Sequence, residues 1–353
     1  MSSQSFGHNV LYPPTRPLLM LTTAYILSVG GLATANHLHF YKDVYSPWVM
    51  KESPSCSNKK LCPDNPGYTW GSYFDRVLDL GGQSFVFGGY ALDESRILQL
   101  FSTSWNETDF LRLSEKVKAK GGSILARLEI FDTRDFNEPI FVESVQDFVS
   151  KYPVSGFSFG PFLAEIEMKS LQKFFEALRK LHLTSALAFS CNDWQAVEAS
   201  GLARIADLNF VALRPRYEDL TRVFNTDSYT REAINNATRA GAKPEGMIVQ
   251  VPLLARRSDF PSDEGYSSMV YDYNADPKGN GSVIFNKTTQ DGYYFFSQTR
   301  LVDKIPLAQQ YNLRGIMLEG GAGFTQDLFH WDKSSLFYAL ATNIRRASES
   351  THC

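Results

Sequence analysis

The chain has 353 residues, 43% hydrophobic and 14% aromatic, with a formal net charge of −3. That length is long for one ordinary domain but suits a single (β/α)₈ barrel. Lys and Arg are scattered through a slightly acidic chain, which argues against a nucleic-acid partner, because that binding needs a concentrated basic surface.

The chain opens on a targeting segment. Arg16 precedes an uncharged run, 17–36, that carries Leu18, Leu19, Met20, Leu21, Ile26 and Leu27. Ala33-Thr34-Ala35 then gives the small-x-small pattern of a signal-peptidase site, with Asn36 as the mature terminus. The run also approaches the roughly 20 residues that span a bilayer, so 1–35 reads as a signal peptide or a signal anchor. The product is a secreted protein or a type II membrane protein, touching the membrane only through this segment if it stays uncleaved. His37 and His39 have a strand-like metal-pair spacing but no third ligand nearby, so no metal and no cofactor is expected.

Residues 36–70 form an N-terminal segment in which Cys56 and Cys62, flanked by Pro54, Pro63 and Pro66, suit a small disulfide loop in an oxidising compartment. Cys191 ends an apolar run and reads as a buried thiol, whereas Cys353, the last residue, is free or pairs with another chain. Sequons at Asn106, Asn236, Asn280 and Asn286 agree with export and mark candidate glycosylation sites.

From residue 84 onward short apolar runs alternate with longer amphipathic ones. Strands are predicted at 84–88, 123–130, 154–159, 185–190, 207–213, 247–252 and 314–318, with 38–41 as a first strand to make eight. Helices are predicted near 107–120, 142–151, 163–181, 193–200, 228–240, 297–311 and 334–346. The clearest is 163–181, where Leu171, Phe174, Phe175, Leu178 and Leu181 recur at helical spacing between Lys169, Lys173 and Arg179. Pro306 should kink or split the 297–311 helix. Strands alternating with helices imply a parallel sheet, and eight units closing on themselves imply an α/β (β/α)₈ TIM barrel over 71–347, followed by a tail, 348–353. An open doubly wound sheet lacks the Gly-rich phosphate loop that would support it, and the glycine pairs, Gly88-Gly89 among them, read as turns and strand ends. Residues 256–292, rich in Gly, Ser, Asp and aromatics, form an insertion that is functional or carries a small element of its own.

The stretch 154–162, Val-Ser-Gly-Phe-Ser-Phe-Gly-Pro-Phe, resembles the signature of family-18 glycoside hydrolases, the chitinases, which reads Asp-Gly-x-Asp-x-Asp-x-Glu along the fourth barrel strand. Laid on that pattern, Ser155, Ser158, Gly160 and Phe162 occupy the four acidic positions, and Gly156 keeps the glycine. Weaker likenesses follow in the right order. Gly82–Gly88 resembles the second strand, and 207–213 the sixth, with Arg214 and Pro215 in place of Tyr-Asp. The seventh is matched by 247–256 and the eighth by 313–319, with Leu318 in place of a tryptophan.

The resemblance implies a sugar-hydrolase scaffold without its proton donor. In the family the last glutamate protonates the glycosidic oxygen, and the aspartate before it orients the substrate's own acetamido nucleophile, a substrate-assisted exception to two-carboxylate hydrolysis. Phe162 has no proton to give and Gly160 nothing to orient with. General acid catalysis alone contributes about 10²–10⁴-fold. The expectation is therefore a pseudoenzyme that binds a glycan or an extracellular protein, its oligomeric state open. The alternative is an active hydrolase on an N-acetylglucosamine-type substrate, using a relocated acid such as Glu165. Candidate residues for the barrel mouth are Arg127, Glu129, Arg214, Tyr217, Leu318 and Glu319. Either the arginines pair with neighbouring carboxylates, or they form an anion pocket. Trp105, Trp194, Phe131, Tyr217, Phe324 and Trp331 fall near predicted loops, where aromatic faces can stack on sugar rings.

Overall fold

The computed structural model describes residues 38–44, 70–100, 107–132, 135–160, 165–215, 220–260, 262–319 and 327–350. The leader, Cys56, Cys62, Asn106, Trp105, Phe162, Tyr217, Phe324 and Cys353 lie outside the described residues.

In chain order the elements are β1 (His39–Val44), α1 (Trp70–Leu80), β2 (Ser84–Asp93), β3 (Arg96–Gln99), α2 (Glu107–Ala119), β4 (Ile124–Asp132) and α3 (Glu138–Lys151). They continue with β5 (Gly156–Phe159), α4 (Glu165–Lys180), β6 (Thr184–Ser190), α5 (Trp194–Ser200), α6 (Leu202–Ile205), β7 (Leu208–Ala212) and α7 (Asp227–Arg239). The last group is β8 (Met247–Val251), β9 (Leu254–Arg257), β10 (Asp263–Gly265), α8 (Tyr266–Tyr271), β11 (Ser282–Asn286), β12 (Asp291–Phe295), α9 (Gln298–Val302), α10 (Lys304–Gln310), β13 (Gly315–Leu318) and α11 (Leu336–Ser350).

The hydrogen-bonded order β1-β13-β8-β7-β6-β5-β4-β2 returns to β1, which pairs in parallel with β2, so eight parallel strands close into a (β/α)₈ barrel. Alternation sorts every strand into two faces. Tyr41, Val86, Leu125, Ala186, Ala188, Phe210, Ile248 and Met317 fill the ring's interior as one cluster. Their neighbours, such as Phe40, Phe85, Phe157, Phe159 and Leu318, pack outward against the helices. Helix α4 shows the sequence logic: Leu171, Phe174, Phe175 and Leu178 are fully buried against this outer layer. Burying each such side chain is worth about 1.5–3 kcal/mol.

Two details depart from the sequence reading, and a third matches one of its alternatives. Strand β2 does not end at Gly88-Gly89 but runs on to Asp93 and folds back as a hairpin with β3. The predicted 297–311 helix breaks at Asp303 rather than at Pro306, so Pro306 falls in the first turn of α10, where its missing N–H costs nothing. The 256–292 insertion carries its own antiparallel sheet, order β10-β9-β12-β11, together with α8.

A charged mouth at the carboxyl end of the barrel

Active sites of this architecture sit at the carboxyl ends of the strands. Two residues beyond the interior layer, the same inward face carries charge. On β1 Tyr41 is followed by Asp43, and on β4 Leu125 is followed by Arg127 and Glu129. Beyond β7 comes Arg214, and beyond β13 Glu319, whose N–H donates to the Val251 carbonyl as the ladder's last rung.

These residues pair. Arg127 Nη1 donates to Asp43 Oδ2 at 2.6 Å, with the two side chains only 12% and 2% exposed. Arg214 Nη2 lies 3.0 Å from Glu319 Oε1. Burial works against the Arg127 charge, but Asp43, Glu319 and Glu129 outweigh it and hold its pKa above the usual value. Burial pushes the Glu319 carboxyl above the ordinary carboxylate range; Arg214 and Arg127 pull it down, and Asp43 adds to the rise. Glu319 thus links the two pairs electrostatically, feeling Arg214, Asp43 and Arg127 together. Among the described residues, buried Asp43 Oδ1 and Arg214 Nε have no hydrogen-bond partner.

Backbone geometry places the pairs. In β2, Gly88 and Gly89 stand opposite the single residue Arg127, because the register shifts between Phe87 and Tyr90. This is a bulge, and Gly89 adopts φ 91°, open to glycine. No side chain of that bulge stands between Arg127 and Asp43. Lys42 Nζ donates to the carbonyls of Asp43 and Glu319, each at 3.3 Å, joining the first strand to the last. The exit of β7 is clamped as well. The Arg214 carbonyl accepts from Asn192 Nδ2 at 3.2 Å and Tyr229 Oη at 3.3 Å, and Arg256 Nη1 donates to the Pro215 carbonyl at 2.6 Å. Tyr229 Oη also lies 3.0 Å from the buried Cys191 sulfur, as expected of a thiol in the core.

Strand β5 contributes no charge to this ring. Ser158 faces inward, opposite Arg127 and Ala186, and is buried. Gly160 has φ 104°, and a Cβ built on it would stand 2.0 Å from the Ala188 carbonyl oxygen. Ser155 sits at the other end of the strand, where its N–H donates to the Ile124 carbonyl. Of Glu165, only the backbone at the start of α4 is described.

The structure thus brings Arg127, Glu129, Arg214 and Glu319 together at the mouth. It does not bring Leu318 there. That side chain is fully buried in the outer layer, and Glu319, one residue later, takes the inward position. Asp43 was absent from the sequence-based candidates because the predicted first strand stopped at Tyr41; continuing the alternation two residues further would have found it. Of the aromatic candidates, Phe131 at the end of β4 is 57% exposed, whereas Trp331 stacks on Phe329 at 4.8 Å and Trp194 packs against the core. Among the described residues no three His, Cys, Asp or Glu side chains are placed to hold a metal ion.

The described chain is a closed parallel (β/α)₈ barrel with a charged mouth at the carboxyl ends of its strands. Solved structures with this fold include a family-18 chitinase from Flavobacterium johnsoniae, 11% identical, covering 88% of this chain and 95% of its own at a TM-score of 0.57. Another is a group IV chitinase from Ostrinia furnacalis, 13% identical over 87% of this chain and 100% of its own, TM-score 0.59. A family-18 N-acetylglucosaminidase from Paenibacillus barengoltzii is 12% identical over 87% and 99%, TM-score 0.57. No family profile and no curated protein matches the sequence. The chain thus shares its fold with these chitinase and N-acetylglucosaminidase structures at 11–13% sequence identity.

Proposed function

We propose that this chain is a catalytically inactive chitinase-like protein of the family-18 type, acting outside the cell by binding a glycan or a protein partner. The observation that carries this reading is Gly160. It stands where the resemblance puts the aspartate that orients the substrate's acetamido group, its backbone is left-handed, and the Ala188 carbonyl fills the space of any side chain. Arg214 and Glu319, at or beside the positions of the family's tyrosine and tryptophan, spend their charge on each other.

Binding rather than turnover fits the remaining groups. The exposed Phe131 ring at the end of β4 offers a face on which a sugar can stack. The neighbours named as chitinases and as an N-acetylglucosaminidase point to N-acetylglucosamine oligomers as the first glycans to try.

One observation favours an active hydrolase. Burial raises the pKa of Glu319, and a proton donor needs that direction. Incubating the protein with chitooligosaccharides and aryl glycosides separates the readings. No turnover, with binding detected by calorimetry or glycan array, is expected; turnover abolished by Glu165→Gln or Glu319→Gln overturns the proposal. Neither turnover nor glycan binding leaves the protein-partner form, which predicts capture of an extracellular protein that Arg214→Glu weakens.

A further inference from the structure

The three described sequons differ in geometry, and two of them frame one vulnerable element. Among the described residues, strand β11 is the outer strand of the small sheet and pairs on one side only, with β12. It carries Phe285, 49% exposed. A one-sided strand bearing an exposed aromatic is a template for edge-to-edge association. Asn280 precedes this strand by two residues, and Asn286 is its last residue.

Both asparagines are exposed. Asn286 Oδ1 accepts from the Thr288 N–H at 3.0 Å and the Thr289 N–H at 3.4 Å. Asn280 Oδ1 accepts from the hydroxyl of Ser282, its own sequon serine, at 2.9 Å. In each the amide oxygen is engaged, while Nδ2 makes no hydrogen bond among the described residues. Asn236 is the contrast. It lies inside helix α7, half-buried, and its sequon threonine, Thr238, donates instead to the Ile234 carbonyl at 2.9 Å. The buried Ala237 stands between the two.

We propose that Asn280 and Asn286 carry N-linked oligosaccharides that shield the open edge of β11, while Asn236 stays unmodified. The proposal rests on the export named under the proposed function. In the modification, Nδ2 attacks the anomeric carbon of a lipid-diphosphate-linked oligosaccharide. The new C–N bond replaces the C–O bond to phosphate, Nδ2 loses one proton, and the lipid diphosphate leaves. No redox partner is needed. Sugars at both ends of β11 block the approach of a second strand, as charged side chains do on other open edges.

The test expresses the full chain in a eukaryotic secretory host with a C-terminal Asn-Ser-Thr reporter tag, followed by peptide-N-glycosidase and peptide mass spectrometry. The expected result is conversion of Asn280 and Asn286 to Asp in most copies, with Asn236 left as Asn. A modified tag with an unmodified Asn280 or Asn286, or with Asn236 converted as fully as they are, overturns this inference alone. An unmodified tag means the chain is not translocated, and export and inference fall together. The shielding half is read by sedimentation. The Asn280→Gln/Asn286→Gln double variant should gain a larger, concentration-dependent species, and adding Phe285→Lys should remove it while circular dichroism stays unchanged. A double variant that sediments like the parent overturns the shielding role.

Discussion

Arg214 and Glu319 meet at 3.0 Å across β8, joining the exits of two strands that are not neighbours in the ring. The contact ties the β7 and β13 ends of the barrel where a hydrolase of this fold would hold its sugar. Its partner contact, Arg127 to Asp43, spans β2 in the same way.

Removing one member of the more buried pair leaves an uncompensated charge. Asp43→Ala should destabilise the fold by about 3–5 kcal/mol, the range for breaking a buried ion pair. Asp43→Leu combined with Arg127→Met should cost clearly less than either single change. Urea unfolding of Asp43→Leu, Arg127→Met and their combination, read as a double-mutant cycle, checks this; equal losses in the single and double variants would contradict it.

Glu319 sets a pH slope. Burial raises its folded pKa above the unfolded carboxylate value of about 4.3, so the native state holds the proton more tightly. Its contribution is fully present below the unfolded pKa and is lost as pH rises through the raised folded value. Glu319→Gln should therefore flatten a fall in stability across that window. Unfolding midpoints of parent and variant measured across that pH range give the comparison, and parallel curves would refute it.

Gly160 should not accept a side chain. Gly160→Ala and Gly160→Asp both demand a Cβ at 2.0 Å from the Ala188 carbonyl on a left-handed backbone. The strain alone is worth about 1–3 kcal/mol, and the clash adds to it. Both variants should melt well below the parent, and the Asp variant should show no chitooligosaccharide turnover. A stable Gly160→Asp protein would require a β5 that runs differently.

Cys191 should be chemically silent in the native protein. Burial pushes its thiol up to about 11, so the thiolate is scarce at mildly alkaline pH. Iodoacetamide should label it only after denaturant is added, as followed by peptide mass spectrometry. Fast native labelling would show that the β6 exit opens.

The barrel was legible because alternation and helical spacing are local signals. Tyr41, Leu125 and Phe210 fall on one face by parity alone, and Leu171, Phe174, Phe175 and Leu178 recur on one helical face. What escaped depended on contacts between distant segments. The polar pair Lys42-Asp43 looks like the end of a strand until Arg127, 84 residues on, and the Glu319 carbonyl supply partners. Gly88-Gly89 reads as a turn, yet the strand runs on through a bulge there, with β4 continuing beside it. Leu318 joined Glu319 among the mouth candidates because a family motif, unlike strand parity, carries no direction for its side chains. Helix α1 was missed altogether, although Tyr73, Phe74, Val77 and Leu78 make a buried stripe.

Strand β1 lies between β2 and β13, with His39 beside Gly315 and Tyr41 beside Ser84. During synthesis from the amino end, the ring stays an open sheet with two unsatisfied margins until some 270 further residues have left the ribosome. The ring cannot close before β13 has emerged, and a nascent chain arrested earlier would expose seams that the finished barrel conceals.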